Sequence, residues 1–254
     1  MDVSAAEGHR QQSPAPTESR SEPERTTRPG SAVIAKTLIV GTIVALGFAW
    51  ATATIADRFR RVENIEHGVK YRGTRLSIET ATRNSAIAYA LVGAGLSLSA
   101  GVTAGSMLGP LSVARVLSGG ITGILLGVSL GGASAYVLTP IYFARMETAD
   151  VTLAVLLHMG IWASIGAAAG AAFGVGAGGR NRLMESIVGG LVGAAVGSLV
   201  FDVCGAFFPF ARTERPLSEE ALTRLVSAMV LSLFIVAGIV IVAFQKPAAG
   251  AKLS

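Results

Sequence analysis

Polar and apolar positions in this chain segregate into blocks rather than alternating residue by residue. Six nearly uncharged runs lie near 37–56, 85–108, 117–141, 151–176, 185–208 and 224–244. Each is close to the roughly 20 residues that carry a helix across the hydrocarbon of a bilayer. Lipid offers the backbone no hydrogen-bond partner, so segments of this kind must be helical. The pattern predicts an all-α, polytopic transmembrane bundle of about six spans, occupying residues 33–245. A five-span alternative leaves 117–141 broken or re-entrant.

The segments outside the runs are short, with two exceptions. Residues 1–32 hold four of the nine prolines and almost no apolar cluster, the composition of a disordered polar tail. The basic loop 57–84 carries seven Arg/Lys, and part of it is expected to form a short amphipathic helix at the headgroups. A C-terminal tail, 246–254, closes the chain. A conventional signal peptide is not expected behind so long a polar lead, although the small residues of 49-AWATATIA-56 leave a cleavage site conceivable. Pro140 is expected to end the third span and Pro209 the fifth.

Within the runs, glycine recurs every four residues. The third span has Gly119, Gly123, Gly127 and Gly131, and the fifth has Gly189, Gly193 and Gly197. The second has Gly93, Gly101 and Gly105, with Ser97 completing the series, and the fourth has Gly166, Gly170, Gly174 and Gly178. The first offers a milder series, Gly41, Ala45, Ala49 and Ala53. Residues four apart lie nearly above one another on a helix, so each span presents a smooth strip to a neighbour. Close backbone approach between such strips supplies dispersion contacts and weak Cα–H···O bonds, which matter where lipid gives no hydrophobic drive. This is glycine-zipper packing, a pattern and not a family.

The strips also align with one another. The segment 117-LSGGITGILLGVSLGG-132 matches 187-IVGGLVGAAVGSLVFD-202 at an offset of 70, and the second span matches the fourth at an offset of 73. Two spans restore the original side of the membrane, so the alignment predicts a direct repeat of two helical hairpins, flanked by a first and a last helix. The last span, 225-LVSAMVLSLFIVAGIVIVAF-244, has larger side chains and is expected on the lipid-facing outside.

Composition strengthens this picture. The chain is 51% hydrophobic and 15% charged, with mean hydropathy +0.58, too little polar surface for a soluble domain of this length. The net charge of +5 reflects basic residues at span edges, whose expected partners are membrane lipids. Arg224, Arg83 and Arg145 are of this kind, and no nucleic-acid partner is implied. Basic residues divide almost evenly, ten on the side of the tails and eleven on the other. Those of the first loop hug the membrane edge, which favours odd loops in the cytoplasm. The single cysteine, Cys204, excludes an intrachain disulfide and a multi-cysteine metal site. No cofactor is implied.

Two ionisable side chains lie inside the apolar runs. His158 is about seven residues into the fourth span and Asp202 about six from the end of the fifth, the same membrane side. At 1.5 Å per residue both lie roughly 10 Å deep. Tyr89 and Tyr136 reach the same level. These four form a candidate intramembrane polar layer, because a charge within a membrane commonly faces the bundle interior or water and histidine changes charge near neutral pH. Trp50 and Trp162 are expected at lipid or interface contacts.

Catalytic motifs do not survive inspection. Residues 127-GVSLG-131 match G-x-S-x-G, but that serine needs a strained strand-to-helix turn. Residues 174-GVGAGG-179 match G-x-G-x-x-G without the preceding strand. Ser134, His158 and Asp202 share a depth and are the cast of a serine hydrolase. A rhomboid-type intramembrane protease would nevertheless want glycine at Ala135 and its histidine on a later helix. An enzyme is therefore not expected. Two function classes stand: a structural or scaffolding membrane component, working as a homo-oligomer or with other transmembrane proteins, and a channel or small transporter built on the polar layer.

Overall fold

The computed structural model describes residues 31–61, 65–66, 69–70, 75–108, 112–145, 151–207 and 217–244. Pro209, residues 1–30 and the C-terminal tail lie outside the described residues. Six helices follow in order: α1 (Ser31–Arg58), α2 (Arg75–Met107), α3 (Val113–Ala144), α4 (Val151–Ala177), α5 (Arg180–Phe207) and α6 (Ala221–Phe244). All six are long and apolar enough to cross a membrane. The third is continuous, so the five-span alternative falls. This is a multi-pass membrane protein.

The helices overrun the apolar blocks at several ends. The α2 helix begins at Arg75, ten residues before the predicted edge, and absorbs the polar turn expected to form a separate interfacial helix. Two short strands, β1 (Ile65–Glu66) and β2 (Val69–Lys70), pair antiparallel in the remainder of that loop. Asn84 anchors the loop: its Oδ1 accepts the Arg61 amide at 2.9 Å and its Nδ2 donates to the Arg61 carbonyl at 3.0 Å. Pro140 does not end α3, which runs on to Ala144. So near the C-terminus, proline removes one ladder bond, and the following turn proceeds without it. At the end of α4, Gly178 and Gly179 both take positive φ, +74° and +102°, and two residues reverse the chain. Gly178 is therefore the helix stop and not a fourth member of the α4 strip.

Most of the remaining strip glycines face neighbouring backbone, whereas Gly41 and Gly197 face side chains. Between α2 and α3, Gly93 lies against Gly127, Gly101 against Gly119, Gly105 against Val116, Gly123 against Ser97 and Gly131 against Tyr89. Between α4 and α5, Gly166 meets Gly190, Gly170 meets Ser186 and Gly174 meets Leu183. A Cβ at most of these places would fall within clash distance of a main-chain atom across the seam. The α5 strip Gly189, Gly193 and Gly197 turns elsewhere, onto Gly238 and Phe234 of α6. The aligned strips of α3 and α5 thus do different work: one closes its hairpin, and the other docks the last helix.

The resulting arrangement is a ring. The α1 helix packs on α2, α2 on α4, α4 on α5, α5 on α6 and α6 back on α1, with α3 lying in the seam of α2 and α4. The last span keeps an outward face, with Leu222, Leu233 and Ile241 exposed, but it is not the most exposed one. Thr223, Ser227, Leu231, Ile235 and Ile239 of α6 are buried, because the α5 glycines draw its backbone inward. By contrast, α1 and α3 each bury only 22% of their most apolar stretch.

Candidate functional site

The polar residues of the α4 and α5 spans meet at the end of the bundle that carries the β1–β2 loop. His158 and Trp162 stand four apart on α4, and Ser198 and Asp202 four apart on α5, so each pair occupies one helix face. The glycine contacts of the same seam, Gly166 to Gly190, bring those faces together. His158 Nδ1 lies 3.1 Å from Asp202 Oδ1 and 3.3 Å from Ser198 Oγ. On the other side of the ring, Trp162 Nε1 donates to His158 Nε2 at 3.0 Å.

This geometry fixes the tautomer. Indole N–H is a donor only, so Nε2 must present its lone pair and Nδ1 carries the proton, which it donates to the Asp202 carboxylate. The arrangement is a neutral imidazole beside a carboxylate, in a site where the two side chains are 4% and 9% exposed. Aromatic rings complete the walls. Tyr89 of α2 meets Trp162 edge-on with centroids 5.7 Å apart, and Phe201 leans on the imidazole at 6.0 Å.

Tyr136 does not belong to this layer. It is 63% exposed on the outer surface of α3. The buried face of that helix is Gly123, Gly127, Gly131, Ala135 and Thr139, and Tyr136 stands one residue, about 100°, off that stripe. Trp162, expected at a lipid contact, is instead 1% exposed and part of the site, whereas Trp50 is exposed. Ser198 was also missed. The signal for both lay in the sequence, in the four-residue spacing from His158 and from Asp202.

A cavity of about 30 Å³ reaches the cluster from the membrane edge, lined by His158, Trp162 and Tyr89 at its floor and by Ser227, Asp57 and Arg224 toward its mouth. That is room for about two water molecules. The mouth is tied shut. Arg224 pairs with Asp57 of α1 and donates to the carbonyls of Ser218 and Glu219 at 2.8 and 2.7 Å. Arg60 donates to the Glu219 carbonyl from the other side at 2.7 Å. Arg224, read from sequence as a lipid-facing flank charge, is thus an internal tie. A second cavity, about 10 Å³, lies toward the opposite end and is lined by Thr37, Gly41, Thr103, Phe173 and Val240 among others. The same four helices, α1, α2, α4 and α6, line both. Between them in register lie Ala45, Ala49, Leu96, Ile165 and Leu231, all part of one apolar core.

The site does not have hydrolase geometry. A triad needs its serine and its acid on opposite ring nitrogens, but Ser198 and Asp202 share Nδ1. Ser134 bonds back to the Gly131 carbonyl of its own helix. Among the described residues no group of three His, Cys, Asp or Glu side chains is placed to hold a metal ion. Compared with protein-family models, curated proteins and solved structures, the chain matches none.

Proposed function

We propose that this protein is a small proton-linked transporter or channel of the cell membrane, not an enzyme, with His158 and Asp202 as its working groups. One observation carries the reading: a buried imidazole, bonded on its far side to a buried carboxylate, lies at the floor of a water-sized cavity whose mouth is at the membrane edge. A proton arriving through cavity water adds to the lone pair at His158 Nε2, displacing the indole N–H that it accepts. The imidazolium then faces the Asp202 carboxylate, which balances its charge. Trp162 can no longer donate to a nitrogen that itself bears hydrogen, so the indole must turn aside. Protonation is thereby coupled to a side-chain movement at the head of the apolar layer of Leu96, Ile165 and Leu231, which separates the two cavities.

The cavity admits water and no organic solute, which favours protons as the coupled species. The test is proton flux into proteoliposomes. Wild type is expected to exceed empty vesicles, and Asp202→Asn and His158→Gln to lower that flux at least tenfold. Wild-type flux equal to that of empty vesicles would sink the proposal.

A second reading, a structural subunit of a membrane assembly, draws on the long apolar faces that α1 and α3 leave uncovered. It predicts a stoichiometric partner span, or a second copy, retained in native mass spectrometry after mild extraction, with no flux. The interior consumption of the glycine strips weighs against it, since few strips remain to recruit a partner.

A further inference from the structure

At the loop end of the bundle, α2 and α3 part company. Their seam is tight from Gly105–Val116 to Gly131–Tyr89. Gly132 still meets Ala90 and Ala86, and beyond it Tyr136 and Pro140 border α2 in place of glycine. A surface groove of about 900 Å³ opens there, between Tyr136 and Pro140 of α3 and a single face of α2. That face repeats at three- and four-residue intervals: Arg75, Ile78, Glu79, Thr82, Arg83, Ala86 and Ile87. The groove is graded along its length. Deep in the span its walls are Ala86, Ile87 and the Tyr136 ring, whereas Arg75 and Arg83 stand at the rim with Glu79 between them.

Neither arginine makes an ion pair among the described residues, and both are exposed. An apolar trough that ends in two cations at the edge of a spanning helix lacks an amphiphile of matching charge. We propose that this groove binds an anionic phospholipid, with one acyl chain along Ile87, Ala86 and Tyr136 and the phosphate at the rim, within reach of the long side chains of Arg83 and Arg75. Guanidinium groups suit the bond because they present paired N–H donors to phosphate oxygens. Arg75 stands just outside the candidate span, which begins at Ser77, and the long stem of Arg83 lets it reach toward the same headgroup level. Glu79, on the same face between them, opposes the phosphate, so the rim attracts an anion with the net charge of one cation. The tyrosine serves as an interfacial ring, apolar along its body and polar at its tip.

The test is native mass spectrometry of purified protein titrated with phosphatidylglycerol or phosphatidylcholine of the same chains. Wild type is expected to retain phosphatidylglycerol preferentially, and the double substitution Arg75→Gln/Arg83→Gln to lower that retention about tenfold or more. Ala86→Trp, which fills the trough while keeping both charges, is expected to lower retention as well. Equal retention of the two lipids by wild type, or an unchanged preference in both variants, overturns the site. Displacement of the lipid by millimolar inorganic phosphate also overturns it, because the chain-binding trough would then contribute nothing. Thermal melts in neutral detergent guard against misfolding of the variants, and loss of folding in one leaves the other to decide. Proton flux is not read, so this result and that of the flux assay are independent.

Discussion

Trp162 and Asp202 hold opposite nitrogens of His158, the indole donating to Nε2 at 3.0 Å and the carboxylate facing Nδ1 at 3.1 Å. The imidazole is thereby clamped in one tautomer. In ¹⁵N spectra of labelled protein, the side chain of His158 is expected as the Nδ1–H form. Trp162→Phe keeps the aromatic packing but removes the donor, and is expected to mix the two tautomers. A spectrum of Nε2–H imidazole in the wild type would reverse the direction of the whole network.

The two members of the pair should respond differently to substitution. His158→Leu takes the imidazole away from a carboxylate that is only 9% exposed. Stability is expected to fall by about 2–3 kcal/mol, the range for losing a hydrogen bond to a buried charged group. Asp202→Asn retains an oxygen that can accept from Nδ1–H and loses only the charge assistance, about 1 kcal/mol. Thermal melts in detergent should rank the two in that order. The inverse ranking would mean that the carboxylate is held chiefly by groups other than His158.

Backbone contact across the seams makes the glycines a graded series. Gly127, Gly166 and Gly193 each face a carbonyl of the adjacent helix, whereas Gly47 has nothing within 4 Å of where a Cβ would stand. Leucine at any of the first three must push two helices apart, a cost above the 1–3 kcal/mol of ordinary overpacking. Gly47→Leu should be neutral or slightly stabilising, through helix propensity. Gly127→Leu, Gly166→Leu and Gly193→Leu are expected to lose the monodisperse peak on size exclusion, while Gly47→Leu keeps it. Wild-type behaviour in all four would remove close packing as the reason for these glycines.

Much of this is legible in the sequence, and the reason is lipid. A solvent that cannot satisfy the backbone leaves only helix number and edges to be read, and run length gives the number. The depth of His158 and Asp202 followed from counting residues, which is reliable along a helix. Direction around the helix was harder. Small residues recur on nearly every span, so no apolar face distinguishes inside from outside, and Tyr136 looked equivalent to Tyr89 until α3 was seen to bury the stripe beside it. The same ambiguity hid the double use of α5, whose Gly190 serves α4 while Gly189 and Gly193 serve α6. The frequency of tryptophan at interfaces points Trp162 outward, but its four-residue spacing from His158 places it on the face that turns inward.

The ion pair at the cavity mouth gives the last prediction. Arg224 reaches from α6 to Asp57 on α1 and to two carbonyls of the preceding turn, so one side chain ties three segments above the cavity. Arg224→Gln is too short to hold all of them and removes the charge that Asp57 needs. Ser227 lines the cavity just below and is 6% exposed, which makes it a reporter of entry. In a background lacking the native thiol (Cys204→Ser), Ser227→Cys should react slowly with a charged, water-soluble thiol reagent. Adding Arg224→Gln should raise that rate about tenfold, the response to losing roughly 1.4 kcal/mol of closure. A thiol at Gly47, on the exposed face of α1, should be indifferent to the same change. If Ser227→Cys reacts at one rate with and without Arg224, the ion pair is a structural tie, and the cavity fills by another route.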